Sequence, residues 1–154
     1  MSKSDFLGVE KKYIEERVEI LRALEKKFGK EVTDLAADAK KKVIYERIKE
    51  QYKDIIPVSM EQFFRIIFSD FEGIDKITDF IVLDKTENHL KVRMNKCWYA
   101  EIYRKLEARD IGHKMVCMMD PVMNRALNPK IKMSRPKKLM LGHKYCMFEY
   151  WLKE

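Results

Sequence analysis

The chain has 154 residues and a mass of 18.5 kDa, with 46% hydrophobic and 37% charged residues and only 5 Gly and 4 Pro. That composition excludes collagen-like, linker-like and natively unfolded chains, because a chain of this length and apolar content buries roughly two-thirds of its unfolded surface. Lys and Arg outnumber Asp and Glu by 32 to 25, a net charge of +7.

The first half reads as helices. Tyr13, Ile14, Val18, Leu21, Leu24 and Phe28 recur at helical spacing, and Gly29 is a C-terminal stop. Val32, Leu35, Ala36, Ala39, Val43, Ile44, Ile48 and Tyr52 repeat the pattern as a second amphipathic helix, which Pro57 ends. Ser59 with Gln62 forms a capping box that opens a third, shorter helix carrying Phe63, Phe64, Ile67 and Phe68.

From Thr78 the period changes towards two. Phe80 to Leu83 is a β-rich run, 86–88 a turn, and Leu90, Val92 and Met94 then alternate with Lys91, Arg93 and Asn95, which predicts a hairpin with one polar face. A short helix begins near Cys97 and carries Trp98, Ile102, Tyr103 and Leu106. Asp120 and Pro121 read as the N-cap and first residue of another, which Asn128-Pro129 ends.

Two further strands are expected over 130–140 and 145–153, joined tightly at 141–144. Cys146, Phe148, Tyr150 and Leu152 share one face of the second, and Pro136 places the first at an edge or a bulge. The expectation is one α+β domain spanning 1–154. Its helical half, 1–72, packs on a mostly antiparallel sheet of about four strands with short intervening helices in 78–153.

Residues 97–154 hold 12 Lys and Arg against 6 Asp and Glu, whereas 1–56 hold 14 against 12 and 57–96 hold 6 against 7. A basic last third suits nucleic acid, an anionic surface or a small carboxylate ligand. The interleaving of basic with apolar residues, and the lack of a recognised motif, argue against nucleic acid. No run approaches the roughly 18 apolar residues of a membrane span, and charge rather than an apolar leader follows Met1, so a cytoplasmic protein without a membrane partner is expected.

Cys97, Cys117 and Cys146 lack CxxC and zinc-finger spacing and are read as reduced thiols. At a helix start Cys97 would feel free N–H groups and the positive end of the dipole, which favour a thiolate; the competing reading is a small buried hydrophobe. Cys146 on a core face and Cys117 among Met115, Val116, Met118 and Met119 suit packing. Asp120 suits a helix cap or a general base beside a thiol. His113 and His143 each follow a Gly in an expected loop, where a surface imidazole is the ordinary outcome. Arg135, Lys137 and Lys138 suit a charged strand edge or a clamp for a ligand carboxylate.

The run from Cys97 to Tyr103, then Ile111-Gly112, Cys117 and Asp120, then Leu127 to Ile131, and finally Arg135, Gly142 and Cys146 to Phe148 resembles the L-2-amino-thiazoline-4-carboxylic acid hydrolase family. The resemblance covers about 78–152 and departs from the family at His143, where an acid usually follows the glycine, and at Pro136. It implies a metal-independent, cofactor-free hydrolase that opens a small carboxylated ring to an N-carbamoyl amino acid. On that resemblance Cys97 is the nucleophile or site thiol and Asp120 the base or orienting group. Glu101, Asn128, Arg135, His143 and Cys146 bind substrate, with Arg135 on its carboxylate. The alternative is a small-molecule binding or sensory domain of the same fold that turns nothing over. The two long N-terminal helices can pack on the sheet or form a homodimer interface, and their apolar stripes allow either.

Overall fold

Helix α1 (Lys3–Phe28) and helix α2 (Glu31–Gln51) are joined by Gly29 and Lys30, and Gly29 takes a φ of +96° that a side chain would strain. The computed structural model describes residues 3–70 and 73–153. Helix α1 buries Ile14, Val18 and Leu21 as its spacing predicts, whereas Tyr13, Leu24 and Phe28 lie on its exposed side.

The expected apolar stripe of α2 holds in part: Ala36, Ile48 and Tyr52 pack half-buried against the core. Leu35 and Val43 are exposed at 69% and 52%, and the buried residues are Thr33 and Ala37. Small side chains one turn apart let α2 approach its neighbours closely, and the Thr33 hydroxyl donates to Glu25 of α1 at 2.6 Å. Hydrophobicity alone therefore gives this face only in part.

The capping box forms as expected: Gln62 N–H donates to the Ser59 hydroxyl and Ser59 N–H donates to the Gln62 side chain. Helix α3 (Met60–Phe64) runs into a π-helical turn over Arg65–Ser69, and a short helix α4 (Ile74–Ile77) leads into the sheet. The four strands are β1 (Thr78–Lys85), β2 (His89–Cys97), β3 (Ile131–Lys137) and β4 (Cys146–Leu152), in the order β1-β2-β4-β3. All three pairings are antiparallel, so the architecture is α+β.

Between β2 and β3 lie α5 (Trp98–Lys105), α6 (Arg109–Met115), a 3₁₀ turn over Cys117–Met119, and α7 (Asp120–Leu127). His113, expected in a loop, is on α6 and half-buried. The strand expected over 130–140 stops at Lys137, and a 3₁₀ turn over Leu139–Leu141 and a left-handed Gly142 (φ +93°) lead to β4. Pro136 lies where the β3–β4 register shifts, between Ser134 and Lys137 on an edge strand, because it has no N–H for the ladder.

Two apolar clusters form the core. One joins α1, α2, α5 and α6 around Ile14, Tyr103 and Ile111. The other joins α3 and the π turn to one face of the sheet, through Phe63 and Phe68 against Leu90, Val92, Phe148 and Tyr150. Cys97 and Leu139 pack against both. The seam between the clusters therefore falls where β2 turns into α5.

Candidate active site around Arg135 and Asp120

Strand β3 alternates Ile131, Met133 and Arg135 towards the core, and this alternation carries a guanidinium inward. The Arg135 side chain is only 9% exposed and its guanidinium carbon lies 4.4 Å from the centre of the Phe148 ring. Lys137 instead points outward, donating to the Tyr145 hydroxyl at 3.0 Å. The expected charged edge thus holds only in part, because its first member turns inside.

Asp120 is the partner of that buried cation. The expectation that Asp120 caps α7 fails: the 3₁₀ turn runs directly into the helix, Met119 takes the cap position, and Asp120 is already helical. Its carboxylate, freed from capping, accepts from Arg135 Nη1. The same nitrogen donates to the Cys117 carbonyl at 3.2 Å, while Nη2 lies 3.7 Å from both the Cys117 and the Cys146 sulfurs. One guanidinium so gathers a carboxylate and two thiols.

Burial sets the electrostatics. Desolvation pushes the Asp120 carboxyl up, and Arg135, with Lys138 beyond it, pulls it part of the way back. Desolvation lowers Arg135, but Asp120 and the two sulfurs outweigh it and hold the guanidinium above its ordinary value. The Cys117 thiol is pushed up to about 12 by burial. Tyr150, buried on the same sheet face, has its phenol raised well above its ordinary value by burial and then by Asp120.

Cys97 ends β2 and precedes the first turn of α5, as its position predicted. Its thiol is nevertheless raised, because burial outweighs the backbone N–H groups of Ala100 and Tyr99 that pull it down. No side-chain cap bond forms there. Desolvation therefore works against the thiolate that a helix start favours.

Among the other residues singled out, Cys146 joins the site and accepts from Leu139 N–H at 3.2 Å. Asn128 does not: its amide donates to the Val58 carbonyl at 2.8 Å and its oxygen accepts from Lys130 N–H at 2.9 Å, closing the turn after α7. His143 is exposed and accepts from the backbone N–H of Lys138 at 3.0 Å. Glu101 is half-buried in the first turn of α5. Sequence reasoning missed Cys117, Tyr150 and Phe148 as site residues. Their positions in an apolar cluster and on a core face looked like packing, and only the inward Arg135 gives them a polar neighbour.

Among the described residues no group of three or more His, Cys, Asp or Glu side chains is arranged to hold a metal ion, and no helix is long and apolar enough to cross a membrane. Two open depressions lie elsewhere, one bordered by Arg104, Glu107, Arg109 and Asp110, the other by Tyr13, Arg17, Ile20 and Met115.

No curated protein matches the chain. The family model described as L-2-amino-thiazoline-4-carboxylic acid hydrolase matches residues 9–150, so the likeness extends through α1 and α2 as well as the sheet half. With nearly the whole chain matched, the protein belongs to the L-2-amino-thiazoline-4-carboxylic acid hydrolase family.

Proposed function

We propose that the protein hydrolyses a small carboxylated cyclic amidine thioether of the 2-amino-thiazoline-4-carboxylate kind, at the Asp120–Arg135 centre. The observation that carries the reading is the buried guanidinium of Arg135 joined to the Asp120 carboxylate and lying against the Cys117 and Cys146 sulfurs. Family membership supports the reaction class, and the excess of cations in 97–154 suits a carboxylate ligand.

Chemistry follows from the groups present. Asp120, raised by burial, is a stronger base than an exposed carboxylate and suits general-base catalysis. It takes a proton from water as the water oxygen bonds to the ring carbon between nitrogen and sulfur. The C=N electron pair goes to the ring nitrogen, which takes that proton from Asp120. The new hydroxyl then gives its proton to Asp120 as its oxygen becomes the carbonyl, the bond from carbon to sulfur breaks, and the leaving sulfur takes the proton. One water is consumed and an N-carbamoyl amino acid with a free thiol results. Arg135 orients Asp120 and attracts the substrate carboxylate, while Cys97, Cys117 and Cys146 line the site, the first two with thiols raised by burial. Because burial raises Cys97, attack by water is favoured over attack by a resting thiolate.

The same burial favours one rival reading, a binding or sensory domain that holds the ligand without turnover. Incubation with 2-amino-thiazoline-4-carboxylate, followed by mass spectrometry and by calorimetry on the same protein, separates the two. A product heavier by one water, lost in Asp120→Asn, supports the hydrolase. Heat of binding with no product leaves the sensory reading standing and sinks the catalytic one.

A further inference from the structure

Helix α7 and strand β3 are cross-linked at two places. The first is the Asp120–Arg135 ion pair, and the second is the Asn124 side-chain amide, whose Nδ2 donates to the Ile131 carbonyl at 2.6 Å. Asp120 and Asn124 are four residues apart on one helix face, about 6 Å along the axis. The bond to Ile131 fixes the orientation of the amide, because Nδ2 faces that carbonyl and Oδ1 is turned away from it.

Asn124 is 5% exposed, and its Oδ1 has no hydrogen-bond donor among the described residues. Arg135 Nε, at the other cross-link, is a buried donor that likewise has no acceptor among them. Native interiors pair nearly all buried polar atoms, so an open acceptor on α7 and an open donor on β3, one at each of the two cross-links between these elements, mark a place for a complementary ligand. Asn128, one turn further along the chain, shows the contrast: both ends of its amide bond to backbone.

We infer that Asn124 is a specificity-determining residue, its Oδ1 accepting from the amidine N–H of the ligand while Arg135 takes the carboxylate. The assignment rests on the substrate class proposed above. A small ring bearing an amidine at one edge and a carboxylate at the other presents a donor for Asn124 Oδ1 and an acceptor for Arg135. A ring without the exocyclic amine leaves Oδ1 buried and unpaired, and sites of this kind reject such analogues.

The test uses two aromatic analogues that resist ring opening, 2-aminothiazole-4-carboxylate and thiazole-4-carboxylate, titrated calorimetrically into the full chain. The expected result is binding of the amino compound about tenfold or more tighter than the other. In Asn124→Leu that ratio falls to about one while the affinity for thiazole-4-carboxylate is kept. A structural role for Asn124 would weaken both ligands alike and leave the ratio unchanged, which overturns the assignment. If Asn124→Leu does not fold, the side-chain amide resonance of Asn124 in the wild-type protein decides: it moves with the amino compound and stays with the other, or the assignment fails. Equal binding of both analogues by the wild type removes Asn124 alone from the account. Binding of neither removes the proposed substrate class together with it.

Discussion

Arg135 on the edge strand β3 reaches inward to the carboxylate of Asp120 in the first turn of α7, fifteen residues earlier in the chain, and the pair joins the sheet to the helical layer. Its arginine is 9% exposed and its aspartate 27%, so the charges are largely removed from water and depend on each other.

Removing one partner should therefore cost more than removing both. Arg135→Met leaves Asp120 desolvated without its cation and is expected to destabilise the fold by about 3 kcal/mol. The double variant Arg135→Met with Asp120→Leu should recover most of that loss while remaining inactive. Urea unfolding of the three proteins checks this; a double variant no more stable than the single one would show that the pair is not what the single change disrupts.

Cys97 is expected to resist alkylation. Because burial raises its thiol above the ordinary value of 9.0, iodoacetamide should label it in the folded protein more slowly than free cysteine, with the rate still climbing above about pH 9. Peptide mass spectrometry across a pH series reads this directly. Rapid labelling of Cys97 below about pH 8 would restore the thiolate nucleophile and displace Asp120 from the first step.

His89 on β2 bridges two carboxylates across three strands, Asp84 on β1 and Glu149 on β4, the latter at 2.9 Å. The hydrogen bond to Asp84, then that to Glu149, raises the imidazole above 6.5. A group whose pKa is higher in the folded state contributes its stability fully below the unfolded value and loses it as pH rises through the folded value. Wild type should consequently exceed His89→Gln in Tm at about pH 5.5 by more than at about pH 8.5. A constant difference across that range would show that the ring acts by packing on Trp151 rather than by charge.

Gly112 sits inside α6, where alanine ordinarily stabilises a helix by up to about 1 kcal/mol. Here an added Cβ would lie 2.6 Å from Tyr103 Cγ and 2.6 Å from Met140 Sδ. Tyr103 and Met140 are both buried, so the clash outweighs the helix preference and Gly112→Ala should lose about 2 kcal/mol. A raised Tm for this variant would mean that α6 shifts freely against α5.

Local chemistry was enough to read much of the fold from the sequence. The Ser59 capping box, the left-handed Gly29, the alternation of Leu90, Val92 and Met94 and that of Cys146, Phe148 and Tyr150 each depend on residues a few positions apart, and each is present. The buried face of α2 was legible only in part: Ala36, Ile48 and Tyr52 pack on the core, but the fully buried Thr33 and Ala37 owe their burial to what packs on them rather than to their own hydrophobicity. The candidate site was legible as a set of residue types, with Asp120, Arg135 and Cys146 all named from the chain.

Their roles were decided by tertiary structure. Asp120 reads locally as a helix cap and Arg135 as a strand-edge charge, because nothing within a few residues offers either one a partner. Only the packing of α7 against β3 brings them together and buries them, and burial then raises the Asp120 carboxyl and the Cys97 thiol. The helix start at Cys97 was written in the sequence, but the protonation of its sulfur was not: desolvation depends on every element that covers it, and here it outweighs the local pull of the helix N-terminus.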